Sequence, residues 1–351
     1  MPLFTDCVPD LPEVLPRDRD RLAREVSDGL EYGSAPERVP ALHKIEVAGD
    51  PARPGPARSC RIVAWNAERC RTPRAAAAML APLGAAAWLL TELDVGMARS
   101  GQSHTARELA KHWGAGFAFA VEFLELGLGG ANEQEEHAGK ENEVGYHGAA
   151  ILSPHALERP AVVRLDTGGD WWDGQRGEKR VGGRIAVLAT LEVAGTPVTL
   201  ASVHLENHAG PERRDTQTAA LLDAIDAYAP AQPALLGGDF NTHGLSLAAL
   251  EDREQLAREL RDDPNRLRSP IAHEPLFQRL ERADFDVEQS NCVATSTQRT
   301  PDGRGSLHLD WFFTRGLETS APAVVAALDP DTGETLSDHE ALVVTIAPAP
   351  R

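Results

Sequence analysis

Short apolar runs, each about as long as a β-strand, recur along most of the chain and restrict what it can fold into. The runs are 61–65, 86–90, 117–121, 149–152, 185–191, 198–203, 234–236, 311–314 and 342–346. Runs of this length, separated by turn residues, are typical of buried strands, because helices need longer segments with a 3.6-residue period. The chain is therefore expected to bury a large β core.

Helical patterns lie between some of these runs. Pro73 precedes the segment 75–83, which ends at Gly84, and this order places proline at the first turn and glycine at the stop. Further along, one apolar stripe is formed by Leu221, Leu222, Ile225 and Tyr228. The sequence thus predicts an α/β (α+β) protein with a two-sheet β-sandwich core flanked by helices.

The N-terminal part of the chain has a different composition. Residues 1–57 are predicted to be an N-terminal extension that ends in a Pro/Gly-rich connector at 49–56, and residues 58–351 to be one large domain. The first twenty residues lack the basic and apolar segments of a secretory signal, and no run of 18 apolar residues occurs. We therefore expect a cytoplasmic protein without a transmembrane segment.

Charge and cysteine content narrow the function classes. The 35 Lys and Arg residues against 53 Asp and Glu residues give a net charge of −18, which repels long polyanions unless a local basic groove offsets it. Avid nucleic-acid binding is not favoured by this charge.

The four cysteines form no CxxC pair, so neither a disulfide framework nor a thiolate zinc site is expected.

Two segments leave alternatives open. The stretch 122–143 holds seven Glu against one Lys and is predicted to be a solvated mobile loop or a lid that faces the substrate. The adjacent Trp171 and Trp172 lie in a Gly-rich segment. They are expected either to pack against a neighbouring loop or to contact substrate, a partner or a peripheral lipid surface.

Polar residues repeatedly lie at the ends of the apolar runs. They are Asn66 and Glu68, Glu92, His204, Asp239 and Asn241, Asp310, and the pair Asp338-His339. A single acidic residue at a strand end is usually a turn or cap residue. If the strands meet at one sheet edge, however, this whole set converges, and its joint occurrence predicts a site.

The order of these residues matches a known family. The matching segments are 63–66 (VAWN), 90–92 (LTE), 145–148 (GYHG), 202–204 (SVH), 238–241 (GDFN), 309–311 (LDW) and 337–339 (SDH). The chain resembles the endonuclease/exonuclease/phosphatase superfamily, which includes pancreatic-type DNases, abasic-site endonucleases, neutral sphingomyelinases and inositol-polyphosphate 5-phosphatases. The resemblance implies a four-layer fold and a metal-dependent phosphoester hydrolase that acts by in-line attack of water.

The resemblance also implies a metal site. Glu92 and Asn66 would supply the sparse oxygen shell that Mg²⁺ prefers, with Glu68 and Asp338 as further ligands, direct or through water. Mn²⁺ or Ca²⁺ are expected substitutes. Since the sequence contains neither a cysteine cluster nor closely spaced histidines, zinc is not favoured.

The remaining roles follow from the same resemblance. His339, oriented by Asp310, is expected to act as a base or a phosphate contact, and Asp239 to orient or activate water. Asn241 would donate to a phosphoryl oxygen, and His204 would protonate the leaving oxygen or bind a non-bridging one. Tyr146 matches a tyrosine that contacts phosphate in abasic-site endonucleases. Arg184 is expected to contact phosphate or to brace the acids.

The substrate stays open among three interpretations. A small-molecule or lipid phosphoester fits the acidic composition, His204 and the tryptophan pair, and is preferred. A nuclease fits Tyr146, although the basic clusters at 176–184, 213–214 and 258–268 are modest. A non-catalytic binding protein on the same fold is the third interpretation, which the histidines disfavour because binding needs no proton transfer.

Overall fold

The computed structural model describes residues 2–51, 53–299 and 306–350. The strands are β1 (Leu3–Phe4), β2 (Asp6–Val8), β3 (Lys44–Ala48), β4 (Cys60–Arg69), β5 (Ala87–Val95), β6 (Gly116–Glu125), β7 (Tyr146–Ser153), β8 (Glu158–Arg164), β9 (Arg180–Gly182), β10 (Ile185–Val193), β11 (Thr196–His204), β12 (Ala234–Asp239), β13 (Gln298–Arg299), β14 (Ser306–Leu307), β15 (Asp310–Arg315), β16 (Leu317–Val325) and β17 (Ala341–Pro348). The α-helices are α1 (Pro16–Ser27), α2 (Pro73–Leu80), α3 (Thr105–Trp113), α4 (Ala131–Glu136), α5 (Pro211–Tyr228), α6 (Leu247–Glu251), α7 (Arg253–Asp262) and α8 (Pro275–Arg282). Every predicted apolar run coincides with a strand.

The larger strands form two mixed sheets. One sheet has the order β1-β8-β10-β11-β12-β15, and the other has the order β16-β17-β4-β5-β7-β6-β3-β2, with β9 also paired to β6. The pairs β4–β5, β11–β12 and β2–β3 are parallel, whereas the other neighbours in these two sheets are antiparallel. The contacts of Asn66 in β4 with Glu92 in β5 and Asp239 in β12 place the carboxyl ends of both central parallel pairs at a common edge.

Apolar side chains on both faces of each sheet create the layers. Between the sheets, Ile62, Leu89 and Ile151 from one sheet pack in one cluster with Leu200 and Phe312 from the other. The outer face of the larger sheet is covered by α1, α2 and α3, and that of the smaller sheet by α5 and α8. The predicted four-layer sandwich is thereby confirmed. Successive residues of a strand point to opposite faces of its sheet, so each sheet can pack against the other sheet on one face and against helices on the other.

Residues of the predicted N-terminal extension contribute to both sheets. β1 pairs with β8 at the edge of the smaller sheet, while β3 pairs with β6 in the larger one. In addition, Leu22 and Val26 of α1 are buried against the outer face of the larger sheet. This segment therefore adds strands, a helix and apolar contacts to the core.

The acidic stretch begins as strand rather than loop, which corrects the prediction for residues 122–125. β6 continues through Glu125, and both Glu122 and Glu125 are buried. Arg184 pairs with Glu122 and Arg180 pairs with Glu125. These ion pairs compensate the negative charges of two glutamates that the sequence pattern predicts to be exposed to solvent.

The two tryptophans pack inside the protein. The indole N–H of Trp171 donates to Glu206 (3.0 Å) and that of Trp172 to the carbonyl oxygen of Leu30 (2.7 Å). Only 4% and 5% of their surfaces are exposed, which supports the packing interpretation.

Among the described residues, no helix combines the length and apolarity needed to cross a membrane.

Candidate active site

Strand register places the polar residues of the smaller sheet side by side. His204 at the end of β11 is in register with Asp239 at the end of β12, and Asp239 is in register with Asp310 at the start of β15. From the facing sheet, the side-chain amide of Asn66 donates to Asp239 (3.0 Å) and to Glu92 (3.1 Å). These contacts join the two sheets at one edge.

Irregularities in three adjacent strands shape the other half of the site. The pairing register shifts between Asn66 and Arg69 in β4, between Leu90 and Leu93 in β5, and between Val121 and Phe123 in β6. Bulges of this kind re-aim side chains and are frequent beside active sites. Here they lie at the three positions that carry Glu68, Glu92 and Glu122.

The backbone is also unusual at several of these residues. Glu68, Arg69 and Cys70 have consecutive positive φ values of 42°, 75° and 49°, and Glu92 and Asn241 have φ values of 56° and 50°. Left-handed conformations cost of order 1 kcal/mol or more for residues with a Cβ, and they cluster at functional sites. Their presence therefore marks this edge independently of any motif.

His339 is held by a carboxylate. Its Nδ1 lies 2.8 Å from Oδ2 of Asp310, and its backbone N–H donates to Ser337 (3.0 Å). Burial opposes a charge on the ring, but the carboxylates of Asp310 and Asp239 outweigh it and raise the pKa of His339. The imidazole is thus fixed in orientation and stabilised as imidazolium.

Asp239 occupies the centre of the group. Its Oδ1 accepts the backbone N–H of Asn241 (2.8 Å), while its Oδ2 lies 3.8 Å from Nε2 of His204 and 3.8 Å from Nε2 of His339. The side-chain amide of Asn241 donates to the carbonyl oxygen of Leu205 (2.9 Å), which fixes the following loop. One carboxylate oxygen of Asp239 therefore faces two histidines.

Glu92 is surrounded by positive groups. Although burial would raise its pKa, the Arg69 guanidinium in contact with it, together with His147 and His204, holds the pKa of Glu92 well below its usual range. Nε2 of His147 lies 3.9 Å from Oε2 of Glu92, and Nε2 of His204 lies 4.0 Å from Oε1. Glu92 is consequently an anion flanked by imidazoles.

His204 has its own acidic partner and a guanidinium brace. Its Nδ1 lies 3.0 Å from Oε2 of Glu122, whose pKa is lowered to about 2 because His204 and Arg184 outweigh the effect of burial. Arg184 donates to Glu122 (2.8 Å) and Glu206 (3.3 Å), and it also contacts the His204 ring. Of the two roles expected for Arg184, the geometry supports bracing the acids.

The donor set fits a divalent cation. The carboxylates of Glu92 and Asp239 meet here at the amide nitrogen of Asn66, whose Oδ1 accepts the backbone N–H of Glu68 (3.1 Å), and Glu68 accepts the backbone N–H of Asp338 at the rim (2.9 Å). Burial, and then the carboxylates of Asp338 and Glu92, raise the pKa of Glu68. This crowding of like charges is the situation that a bound divalent cation relieves.

Tyr146 does not belong to this group, which corrects the implied phosphate contact. It shares a face of β7 with Ala150 and Leu152, in the cluster under the outer helices, and its hydroxyl donates to the carbonyl oxygen of Pro12 (2.5 Å). Successive residues of a strand point to opposite faces, so His147, not Tyr146, faces the site.

Four residues of the site were not predicted. They are Arg69, Glu122, His147 and Gln298. Glu122 directly follows the apolar run 117–121, as the predicted site residues follow theirs, so the same pattern could have identified it. The alternation of side chains along a strand could have identified His147. Gln298, whose amide nitrogen lies 3.0 Å from Nε2 of His339 and 2.8 Å from Asp338, carries no comparable signal.

Solved structures with the same fold are similar over most of the chain. An endonuclease/exonuclease/phosphatase from Beutenbergia cavernae matches with 17% identity and a TM-score of 0.56, over 83% of this chain and 72% of that chain. The human Nocturnin catalytic domain with bound sulfate anion matches with 16% identity and a TM-score of 0.53, over 87% and 98%. A functionally unknown conserved protein from Enterococcus faecalis matches with 15% identity and a TM-score of 0.52, over 82% and 99%.

Sequence comparison identifies the family. No curated protein matches the chain. The sequence model of the Endonuclease/Exonuclease/phosphatase family, however, matches residues 63–339, a span that includes Asn66, Glu92, His204, Asp239 and His339. The matched span covers most of the chain and all but a few of its sheet strands. The chain therefore belongs to the Endonuclease/Exonuclease/phosphatase family.

Proposed function

We propose that this protein is a divalent-metal-dependent phosphoester hydrolase whose preferred substrate is a small-molecule phosphoester. Family membership supports the general activity. The observation that carries the proposal is the convergence of Asn66, Glu92, Asp239 and two acid-anchored histidines at the edge where the two sheets meet. Such a set of side chains can bind a cation, orient a water molecule, and accept or donate protons at neighbouring positions.

The residues divide the work of hydrolysis. Asp239 presents Oδ2 toward both histidines and is placed to orient the attacking water and accept its proton. His339, kept as imidazolium by Asp310 and Asp239, is placed to stabilise charge that grows on the phosphoryl oxygens. His204, anchored by Glu122, is placed to donate to the leaving oxygen. Glu92 and Asn66 would hold the metal, which supplies positive charge to the phosphoryl group.

The ion pairs made by the basic residues favour a small substrate over nucleic acid. Arg180, Arg184 and Arg214 are buried and paired with acids, and Arg213 pairs with Asp166. Binding to a nucleic-acid backbone needs exposed cations that can neutralise several phosphates. Most of the arginines in the predicted clusters at 176–184 and 213–214 already have acidic partners inside the protein.

A cavity close to the site has the size of a small-molecule pocket. It has a volume of about 640 Å³ and is lined in part by Trp172, Arg176, His208, Leu247 and Leu250. Arg176 contacts Glu206, the same carboxylate that Arg184 contacts beside His204. Ligand pockets commonly enclose about 300 to 1,000 Å³ and combine apolar walls with a few polar groups. We assign this cavity to the leaving group.

A related fold is known to bind a tetrahedral oxyanion. The human Nocturnin catalytic domain was solved with bound sulfate anion, and its fold matches 87% of this chain. Sulfate has the shape of a phosphoryl group and a similar charge. This supports an anion-binding function for the present fold.

A substrate panel with Mg²⁺ or Mn²⁺ tests the proposal. The panel contains nucleoside diphosphates, sugar phosphates, phospholipid vesicles, supercoiled DNA and single-stranded RNA, each with wild-type protein and Leu250→Trp. We expect turnover of a soluble small phosphoester, with a KM that rises in Leu250→Trp because the indole fills the cavity. Preferential cleavage of vesicle lipid, or of DNA or RNA at physiological salt, would overturn the assignment to a small-molecule substrate.

A further inference from the structure

His147 is a third imidazole at the site, and its surroundings are built to aim it. Nδ1 lies 2.8 Å from Oδ1 of Asp94, and the other ring nitrogen, Nε2, lies 3.9 Å from Oε2 of Glu92. The ring is 2% exposed. One edge of the imidazole is therefore anchored inside the protein, while the other faces the carboxylate of Glu92.

The anchor of His147 is a network of buried charge. Arg99 donates to both oxygens of Asp94 (2.8 and 2.9 Å), and the Ser100 hydroxyl donates to Asp94 as well (3.0 Å). Asp94 and Arg99 are buried, and burying such a pair costs several kcal/mol per ion before their attraction is counted. Two groups of this network are directed at Oε2 of Glu92, the imidazole of His147 and the guanidinium of Arg69, and of the two only the imidazole can offer a lone pair to a metal.

The hydrogen bonds also select a tautomer. An ionised carboxylate can only accept, so the 2.8 Å contact with Asp94 places the ring proton on Nδ1. Arg99 lies farther from the same nitrogen (3.3 Å) and already donates to Asp94. An imidazole that carries its one proton on Nδ1 directs the lone pair of Nε2 toward Glu92. This is the arrangement of carboxylate–histidine–metal triads.

His204 repeats the arrangement on the other oxygen of Glu92. Its Nδ1 is anchored by Glu122 (3.0 Å), and its Nε2 lies 4.0 Å from Oε1 of Glu92. Two ligand atoms that share one ion lie about 3 to 4 Å apart, given metal–ligand bonds of about 2.1 Å. His147 is therefore at the separation from Glu92 that shared ligation requires, whereas Nε2 of His204, which also lies 3.8 Å from Oδ2 of Asp239, is left to donate to the leaving oxygen.

We propose that His147 is an imidazole ligand, with Glu92, of the divalent cation, and that the site consequently prefers a transition-metal ion such as Mn²⁺, Co²⁺ or Zn²⁺ over Mg²⁺. The inference rests on the proposed function, since it concerns the same metal. Imidazole nitrogen binds first-row transition metals well, whereas Mg²⁺ selects oxygen. The absence of closely spaced histidines in the sequence does not oppose this, because the fold brings His147 and His204 to the same carboxylate.

Pulsed electron paramagnetic resonance of Mn²⁺-loaded protein tests the assignment without any substrate. The proteins compared are the wild type, His147→Asn and His112→Asn. The Asn amide retains a donor to Asp94 but has no atom at the position of Nε2, and His112 is an exposed control on α3. We expect ¹⁴N couplings from histidine in the wild type and in His112→Asn. In His147→Asn one coupling is lost, Mn²⁺ binds at least about tenfold more weakly, and the preference for Mn²⁺ over Mg²⁺ falls.

The outcomes separate this inference from the proposed function. Unchanged ¹⁴N couplings and Mn²⁺ affinity in folded His147→Asn would overturn the assignment and leave metal-dependent hydrolysis intact. A wild-type protein that binds no divalent ion would overturn both. If His147→Asn does not fold, the double variant His204→Asn/His339→Asn, labelled with ¹⁵N-histidine, replaces it. A remaining histidine coupling there supports His147, and its absence contradicts it.

Discussion

Single side chains in this site are oriented by partners on the side away from the reaction. Asp310 holds His339, Glu122 holds His204 and Asp94 holds His147, in each case through Nδ1. Each anchor leaves Nε2 facing Glu92 or Asp239. The orientation of each imidazole therefore depends on a carboxylate bound to the ring nitrogen that faces away from Glu92 and Asp239.

The anchor of His339 leads to a prediction about catalysis. Asp310→Asn should reduce kcat by about 100-fold or more, because the amide neither stabilises the imidazolium nor enforces the tautomer. Steady-state hydrolysis of a chromogenic phosphodiester measures this, with folding checked by thermal melting. His112→Asn should keep wild-type activity. A fully active Asp310→Asn protein would remove His339 from its proposed role.

Buried His308 leads to a prediction about acid stability. Burial lowers the pKa of His308 to about 4, whereas the unfolded chain takes up this proton near pH 6.5. The unfolded state therefore binds more protons between these values, so stability is retained above pH 6.5 and declines as pH falls toward 4. Between pH 7.5 and 4.5, the wild type should lose up to about 3 kcal/mol more unfolding free energy than His308→Gln, by urea denaturation. Equal losses would contradict this.

Sequence reasoning worked best for residues whose position depends on local pattern. Asn66, Glu92, His204, Asp239, Asp310 and His339 all follow or open an apolar run, and the fold brings them together. His147 was missed because it lies beside Tyr146 near the start of β7 and does not follow an apolar run, and the alternation of faces along this strand was not applied to it. Tyr146 was misplaced because a family motif was transferred without asking which face of β7 each residue occupies.

At the scale of elements, β6 shows where pattern and structure separate. Its carboxyl end carries Glu122 and Glu125, which the sequence assigns to a solvated loop. They are buried because arginines from distant segments, Arg99, Arg180 and Arg184, neutralise them. Composition alone does not reveal these long-range pairs, whereas the apolar runs that form the rest of the sheet are visible in sequence.

Removal of one of these arginines should destabilise the fold strongly. Arg99→Met leaves Asp94 buried without its guanidinium partner and Glu125 with Arg180 alone, and we expect a loss of about 3 to 5 kcal/mol in the free energy of unfolding. Urea denaturation measures it. Arg71→Met, which removes a half-exposed partner of Glu133, is the matched control and should cost less than about 1 kcal/mol. Similar costs for the two variants would show that the buried network contributes no more than the surface pair.

At the scale of the whole molecule, the two sheets depend on the N-terminal segment. β1 and β3 complete opposite sheets, and α1 covers apolar surface on the larger one. Arg164 of β8 reaches across to the carbonyl oxygens of Leu42 (2.9 Å) and Val121 (3.0 Å). The segment that composition sets apart is thus connected to both halves of the sandwich.

Deletion of the segment tests how independent it is. A chain that begins at Arg58 should be insoluble or should melt at least about 10 °C below the full chain, because Leu22, Leu42 and Ile45 no longer cover the core. Differential scanning fluorimetry of the soluble fraction measures it. An equally stable and active truncated chain would show that residues 1–57 are a dispensable extension.

The most direct test of the account is metal-dependent hydrolysis of bis(p-nitrophenyl) phosphate by the wild type, Glu92→Gln and His112→Asn. We predict that EDTA abolishes turnover by the wild type and that Mn²⁺ restores it. Glu92→Gln should require at least about tenfold more Mn²⁺ and turn over at least about 100-fold more slowly, with His112→Asn unchanged. Turnover that survives EDTA, or a Glu92→Gln protein as active as the wild type, would contradict a metal-dependent hydrolytic site at this sheet edge.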